Sequence, residues 1–416
     1  MEAAEENAFD QARERNSVIY DPDDPCVLKL SHLVANSRPD LTIYEKLYRR
    51  VHQAPELSGI ERYTAAIVAS HLESLGGFTV HSNIGGHGVV GVFANGAGKT
   101  VLIRAELDAL PIKEQTDLPY ASRKQMIDRY GNERPVIHAC GHDMNMAALL
   151  AAAATLKHAK ETGMAKAMVE DGLHEHLKIP VPDVMLAQHV IPMRSGSVAI
   201  CEGPVLMSAD AMKVRVFGGP SPVKNPHFCE NAIVIGSRLV TCLPELVTSP
   251  DRRCYHYVLG FSGRGAGADF IYHADLLFDI KTRTPEIRAK VLKLIRSIIE
   301  SECERWKVPK SPHITISERA PLTNNDPSIG HKIRREFENH YDIDLTQMDP
   351  IPATEDFAAL QSNRKIPYAY WFFGGSPNGK GEDTPVNHSP FFAPVIQPIL
   401  LTGTDAMALA VLSVLS

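Results

Sequence analysis

The chain has 416 residues, 44% of them apolar and 22% charged, with a formal net charge of −6 at pH 7. This is the composition of a soluble globular protein of more than one domain. The lack of a basic surplus excludes a nucleic-acid or anionic-membrane partner, and the longest apolar run, Met146 to Leu156, is too short to span a bilayer.

The acidic start, Met1 to Glu6, has no apolar core, so no signal peptide is read. Seven scattered cysteines, an odd number, point to a reducing compartment and a cytoplasmic location. Residues 1 to 40 are polar, with Asp21-Pro22-Asp23-Asp24-Pro25, and read as a loosely packed leader. Leu47, Val51 and the run Thr64 to Leu72 predict helices. Gly85-Gly86-His87-Gly88 leads into a strand at Val89 to Phe93. Asn95-Gly96 and Gly98 mark a turn before a second buried strand, Val101 to Ala105. Glu106 and Asp108 follow the end of that strand, where active groups of open α/β sheets gather.

His138-Ala139-Cys140-Gly141-His142-Asp143 comes next, followed at once by the Ala/Leu-rich run from Met146, which reads as a buried helix. Cys140 and His142 then lie on the loop entering that helix. The positive end of the helix dipole lowers a nearby thiol pKa, and a thiolate and an imidazole two residues apart suit a borderline-soft ion such as Zn²⁺. The plainer alternative is a buried cysteine beside a capping Asp143. Asp183 to His189 is another apolar strand, ending in a histidine. From about Ser208 the texture changes. Lys213 to Phe217 alternates as a half-exposed strand, Asn231 to Leu239 is helical, Asp275 to Ile280 strand-like, and Pro285 to Glu304 an amphipathic helix. These make an α+β insert. Beyond Pro321 the chain returns to helix and buried strand (Tyr368 to Phe373) and closes with a helix at Thr404 to Leu412.

Six stretches in order resemble the M20 family of metallopeptidases, in its amidohydrolase branch of aminoacylase-like, hippurate-hydrolase-like and auxin-conjugate-hydrolase-like enzymes. They are His52 to Ser58, Arg104 to Pro111, His138 to Met144, Gln188-His189, Thr354 to Phe357 and Asn387 to Pro390. The resemblance implies an α/β fold. A catalytic domain with a central mixed, mainly parallel sheet flanked by helices (residues 41–206 and 319–416) is interrupted by a smaller α+β lid or dimerisation domain (207–318). It implies one or two divalent ions, Zn²⁺ or Mn²⁺, and a homodimer through the lid. The expected reaction is hydrolysis of the amide of N-acyl amino acids or small peptide-like conjugates. Carried over, the metal positions are Cys140, His142, His189 and His388. Singly, His189 is equally a strand-end histidine and His388 a surface loop residue; in motif they read as ligands. Glu355 and Asp356 match supporting acids, and Asp356 is equally a helix cap.

The sequence also departs from that pattern. The strand that leads the family into its Glu-Glu motif is absent. Glu161, in Glu161-Thr162-Gly163, aligns with the ligand glutamate and is the sole candidate left for the catalytic position. Lys160 falls where the general base belongs, and an ammonium cannot accept a proton. In the insert, Gly218-Gly219-Pro220 replaces a motif whose histidine completes the substrate site, which leaves His227. Asp269 stands in place of an asparagine, and Asn145 in place of a histidine. The expectation is therefore a metal-dependent amidohydrolase, with an impaired metal-binding scaffold, or a gap left by a mis-called intron, as the alternatives.

Overall fold

The computed structural model describes residues 25–161, 180–219, 231–246, 254–265, 271–340, 350–361, 364–377 and 384–416. Three helices open it: α1 (Pro25–Ser37), α2 (Thr42–Gln53) and α3 (Arg62–Leu75). Leu33 and Val34 of α1 and Tyr44, Tyr48 and Val51 of α2 are buried in the main core. A loosely packed leader is thus corrected over α1. Its apolar residues recur at helical spacing, and burying them outweighs the polar surroundings. Then come the hairpin β1 (Phe78–Ile84) and β2 (Gly88–Phe93), the strand β3 (Val101–Arg104), and the small pair β4 (Gln125–Ile127) and β5 (Glu133–Pro135). The long helix α4 (His142–Glu161) follows, with β6 (Val184–Arg194), β7 (Val198–Ala199) and β8 (Gly203–Leu206) after it.

A second group of elements is laid down next: β9 (Ser208–Phe217), α5 (Ala232–Leu246), β10 (Cys254–Gly265), β11 (Ile271–Thr282), α6 (Pro285–Arg305) and β12 (His313–Ala320). Its strands form an antiparallel sheet in the order β10-β11-β9-β12. Met212, Val214 and Val216 of β9 are buried while Lys213 and Arg215 between them are exposed. This is the alternation of a sheet with one covered face. α5 and α6 cover that face around Ile235, Leu239, Phe278, Ile295 and Ile299.

The chain then returns through β13 (Thr323–Asn325), α7 (Pro327–His340), β14 (Tyr368–Ser376) and α8 (Ile399–Leu415). The main sheet has the order β3-β6-β14-β7. Its β3–β6 and β6–β14 pairings are parallel, and β14–β7 is antiparallel. All nine residues of β14 and the first eight of β6 are buried, as strands covered on both faces must be. α4 and α8 cover one face. Ala147, Ala148, Ala151 and Ala152 let α4 pack closely, and a Cβ on Gly403 of α8 would lie 3.0 Å from the Ala148 Cβ. The chain is therefore an α/β protein whose mixed, mainly parallel sheet is interrupted by a smaller α+β unit. The absent strand leaves no break beside β6, because Val101 to Arg104 pair directly with Val184 to Ala187. The opposite edge of β3 has no strand partner among the described residues, and its four residues are only half-buried.

Where β14 meets β6 the register shifts between Gly374 and Ser376. A Cβ on Gly374 would lie 1.8 Å from the Arg194 carbonyl oxygen, and backbone cannot yield by that much. Gly374→Ala is expected to abolish soluble expression. Gly260→Ala, whose Cβ would meet only Leu277 at 3.7 Å, is expected to stay within about 1 kcal/mol of the parent in urea denaturation.

Candidate metal centre

The turn Cys140-Gly141-His142 delivers two donors from the start of α4. Gly141 has φ +85°, and a Cβ there would lie 2.4 Å from Val190 Cγ1. Only glycine holds this left-handed conformation cheaply, and here it also clears β6. His189, on β6, and His388, on the loop before α8, complete the group. The Cys140 Sγ lies 3.4 Å from His189 Nε2 and 3.3 Å from His388 Nε2. Donor atoms of Cys140, His142 and His189 all lie within 4.8 Å of one another.

Each ring is held from behind. His142 Nδ1 is 2.9 Å from both the Asp108 carboxylate and the Asp108 carbonyl oxygen, and His189 Nδ1 donates to Val190 O at 2.7 Å. That leaves the Nε2 atoms for the shared point, as outer partners do for metal-bound histidines. His388 sits at φ +71° with its backbone N–H on Ala139 O, and Asn387 Nδ2 donates to Cys140 O and Val190 O. Asn145, standing where a histidine was expected, accepts the Val190 N–H at 2.9 Å and ties α4 to β6 beside His189. Burial pushes the Cys140 thiol up, but His189 and His142 beside it bring it well below the usual thiol range. Burial lowers the two imidazoles, but the Cys140 sulfur raises both, and Asp108 adds to the rise at His142. A thiolate among imidazoles with ordered back partners is a donor set that fits Zn²⁺-type ions.

Glu161 is not brought to this point. It is the last residue of α4, which begins at His142 and runs 20 residues. At 1.5 Å per residue its backbone lies about 28 Å away along the helix axis. Its expected roles as metal ligand and as catalytic residue are corrected on that ground; its side chain is outside the described set. His227 and Asp269, the expected substrate contacts, also lie outside the described residues.

Two charge clusters flank the centre. Arg104, at the end of β3, bonds Glu106 at 2.5 Å, Glu355 at 2.6 Å and Asp356 at 2.6 Å. Glu355 Oε1 also accepts the Asp356 and Phe357 N–H groups, so these acids both brace Arg104 and start the short 3₁₀ turn Phe357–Gln361. On the other side His52, fully buried, bridges Asp143 (2.6 Å from Nδ1) and Glu114 (3.1 Å from Nε2). Sequence reasoning placed His52 in a motif without a role, and Glu114 it missed. The two are 62 residues apart, and no local signal joins them.

The comparisons with known proteins agree with this geometry. Residues 102–413 match the model of peptidase family M20/M25/M40. The chain belongs to that family. Among its M20 relatives, the hippurate hydrolase of Campylobacter jejuni is 30% identical over 351 residues, covering 79% of this chain and 87% of that one. The N-acetyl-L-cysteine deacetylase of Bacillus subtilis is 28% identical over 352 residues, covering 78% and 79%. The crystal structure of the YxeP protein of Bacillus subtilis, a dinuclear metal-binding peptidase from the M20 family, superposes with a TM-score of 0.67 at 21% identity, over 89% of this chain and 98% of that one. The chain is thus a hydrolase of amide bonds.

Burial lowers the His52 imidazole, but Asp143 and Glu114 raise it further, to about 9 from an ordinary 6.5. Its stabilisation is therefore complete below pH 6.5 and lost as pH rises through 9. In urea unfolding, the stability advantage of wild type over His52→Gln is expected to narrow between pH 6.5 and 9.5. An advantage that widens over that range would contradict the bridge.

Proposed function

We propose that this M20 chain hydrolyses the amide of N-acyl amino acids or small peptide-like conjugates, with Zn²⁺ or Mn²⁺ held by Cys140, His142, His189 and His388. One observation carries the reading: a single sulfur within reach of two imidazole Nε2 atoms, while the Nδ1 atoms of His142 and His189 are committed to oxygen partners. When bound, the ion polarises the scissile carbonyl as a Lewis acid. The protein's part is to hold the donors in place. Asp108 fixes His142, the Val190 carbonyl fixes His189, and the Asn387 bonds pin the loop of His388. Cys140 is half-buried and His388 exposed, so the substrate approaches from the His388 side.

We assign residues 41–206 and 319–416 to the catalytic domain and 207–318 to the lid. A homodimer through the lid fits the exposed edge strand β10, where Tyr257, Leu259 and Phe261 face out beside Ile233 and Val234 of α5. Cytoplasmic residence fits the five described cysteines, all free thiols. No helix among the described residues is long and apolar enough to cross a membrane.

The test is hydrolysis of a panel of N-acetyl and N-benzoyl amino acids by chelator-treated protein, with Zn²⁺ or Mn²⁺ added back. Activity is expected only with metal restored, and is expected to fall at least about 100-fold in Cys140→Ser and His189→Ala. Wild-type protein that takes up metal yet cleaves none of the panel would contradict the substrate class.

A further inference from the structure

The loop after β3 and the small pair β4–β5 enclose a cleft that the metal centre does not use. Its volume is about 450 Å³, room for a small molecule, and its mouth is open to solvent. The walls are built from bonded groups. Glu114, whose side chain is 1% exposed, takes bonds from His52 Nε2 and Thr116 Oγ1 on one oxygen and from the Ser122 N–H on the other. Ser122 Oγ donates to Val136 O, and Lys124 Nζ donates to Ala54 O at 3.3 Å. These side chains are committed to the wall.

Three charged side chains of the lining are not. Lys113, Asp117 and Arg123 are exposed, and none makes an ion pair or a side-chain hydrogen bond among the described residues. Two cations and one carboxylate thus share one concave surface without closing on each other. Opposite charges held apart in this way leave a place for a ligand that carries both signs. A guanidinium is a planar fork that matches a carboxylate, and a carboxylate accepts from an ammonium. Leu118 and Ala121 add apolar lining.

We propose that this cleft binds a free α-amino acid with an apolar side chain as its zwitterion, the carboxylate on Arg123 and Lys113 and the ammonium on Asp117. The site stands apart from the metal centre, but its walls reach that centre. The Gln115 N–H bonds Pro390 O, two residues past His388, and Glu114 is joined through His52 to Asp143, the residue after His142. A free amino acid is also what hydrolysis of an N-acyl amino acid releases, so the site takes the reaction's own product; that clause alone rests on the proposed substrate class.

The experiment is isothermal titration calorimetry of full-length, chelator-treated protein with L-leucine, and with N-acetyl-L-leucine and L-leucinamide, each of which lacks one of the two charges. L-leucine is expected to bind, and both analogues to bind at least about tenfold more weakly. Arg123→Gln and Asp117→Asn are each expected to lose at least about tenfold in L-leucine affinity. Arg129→Gln, which removes a cation that stacks on Tyr130 outside the cleft, is expected to bind as wild type does. Circular dichroism shows that each variant is folded. Absence of L-leucine binding to wild type at millimolar concentrations would overturn the proposal. So would equal affinity for N-acetyl-L-leucine, which would make the cleft a plain anion site, and so would unchanged affinity in the Arg123 and Asp117 variants. None of these outcomes depends on metal uptake or amide cleavage, so a failure here leaves the metal reading standing.

Discussion

The centre depends on the close approach of the Cys140 sulfur to two imidazoles that come from a different strand and a different loop. Three backbone segments must meet at one atom, and each is fixed by a separate device. The first is the left-handed turn at Gly141, open because no Cβ stands against Val190. The second is β6, locked between β3 and β14 in a parallel ladder. The third is the loop of His388, tied by Asn387 to the carbonyls of Cys140 and Val190. Val190 is common to all three. It crowds Gly141, accepts from Asn387 and His189 through its carbonyl, and donates to Asn145 through its N–H. A shift of β6 by one residue would move all of these together.

Charge is the second constraint. The metal end of the molecule gathers carboxylates and histidines, and most are matched, although both ring nitrogens of the buried His138 are without a hydrogen-bond partner among the described residues. Arg104 answers Glu106, Glu355 and Asp356, and His52 answers Asp143 and Glu114. Breaking one member of the buried His52–Asp143–Glu114 set costs about 3–5 kcal/mol because the rest is left uncompensated. These clusters therefore hold the site's shape rather than add net stability. The Oε2 atom of Glu106 is the exception among these acids.

Much of this was legible in the sequence. The alternation around Lys213 and the apolar runs at Asp183 and Tyr368 announced their strands, because burial on one face or both writes itself into period and composition. Cys140 and His142 announced a centre by type and spacing. His189 and His388 gained meaning only from the ordered motifs, since a lone histidine at a strand end or in a loop carries no local signal. Glu161 misled for a geometric reason. It stands near the Ala-rich run in sequence, but a helix converts that proximity into a long separation along its axis. Helix α1 was hidden by its acidic, proline-rich surroundings. The clamps at His52 and Arg104 span 62 to 252 residues of chain, beyond the reach of any periodicity.

The most direct test of the central claim is the absorption spectrum of the chelator-treated protein titrated with Co²⁺, a spectroscopic stand-in for the native ion. The account predicts a near-ultraviolet thiolate-to-cobalt charge-transfer band that saturates at one or two equivalents and is absent in Cys140→Ser. Cobalt uptake without that band, or with a band that survives in Cys140→Ser, would show that the ion sits elsewhere and that the sulfur–imidazole group is not the metal centre.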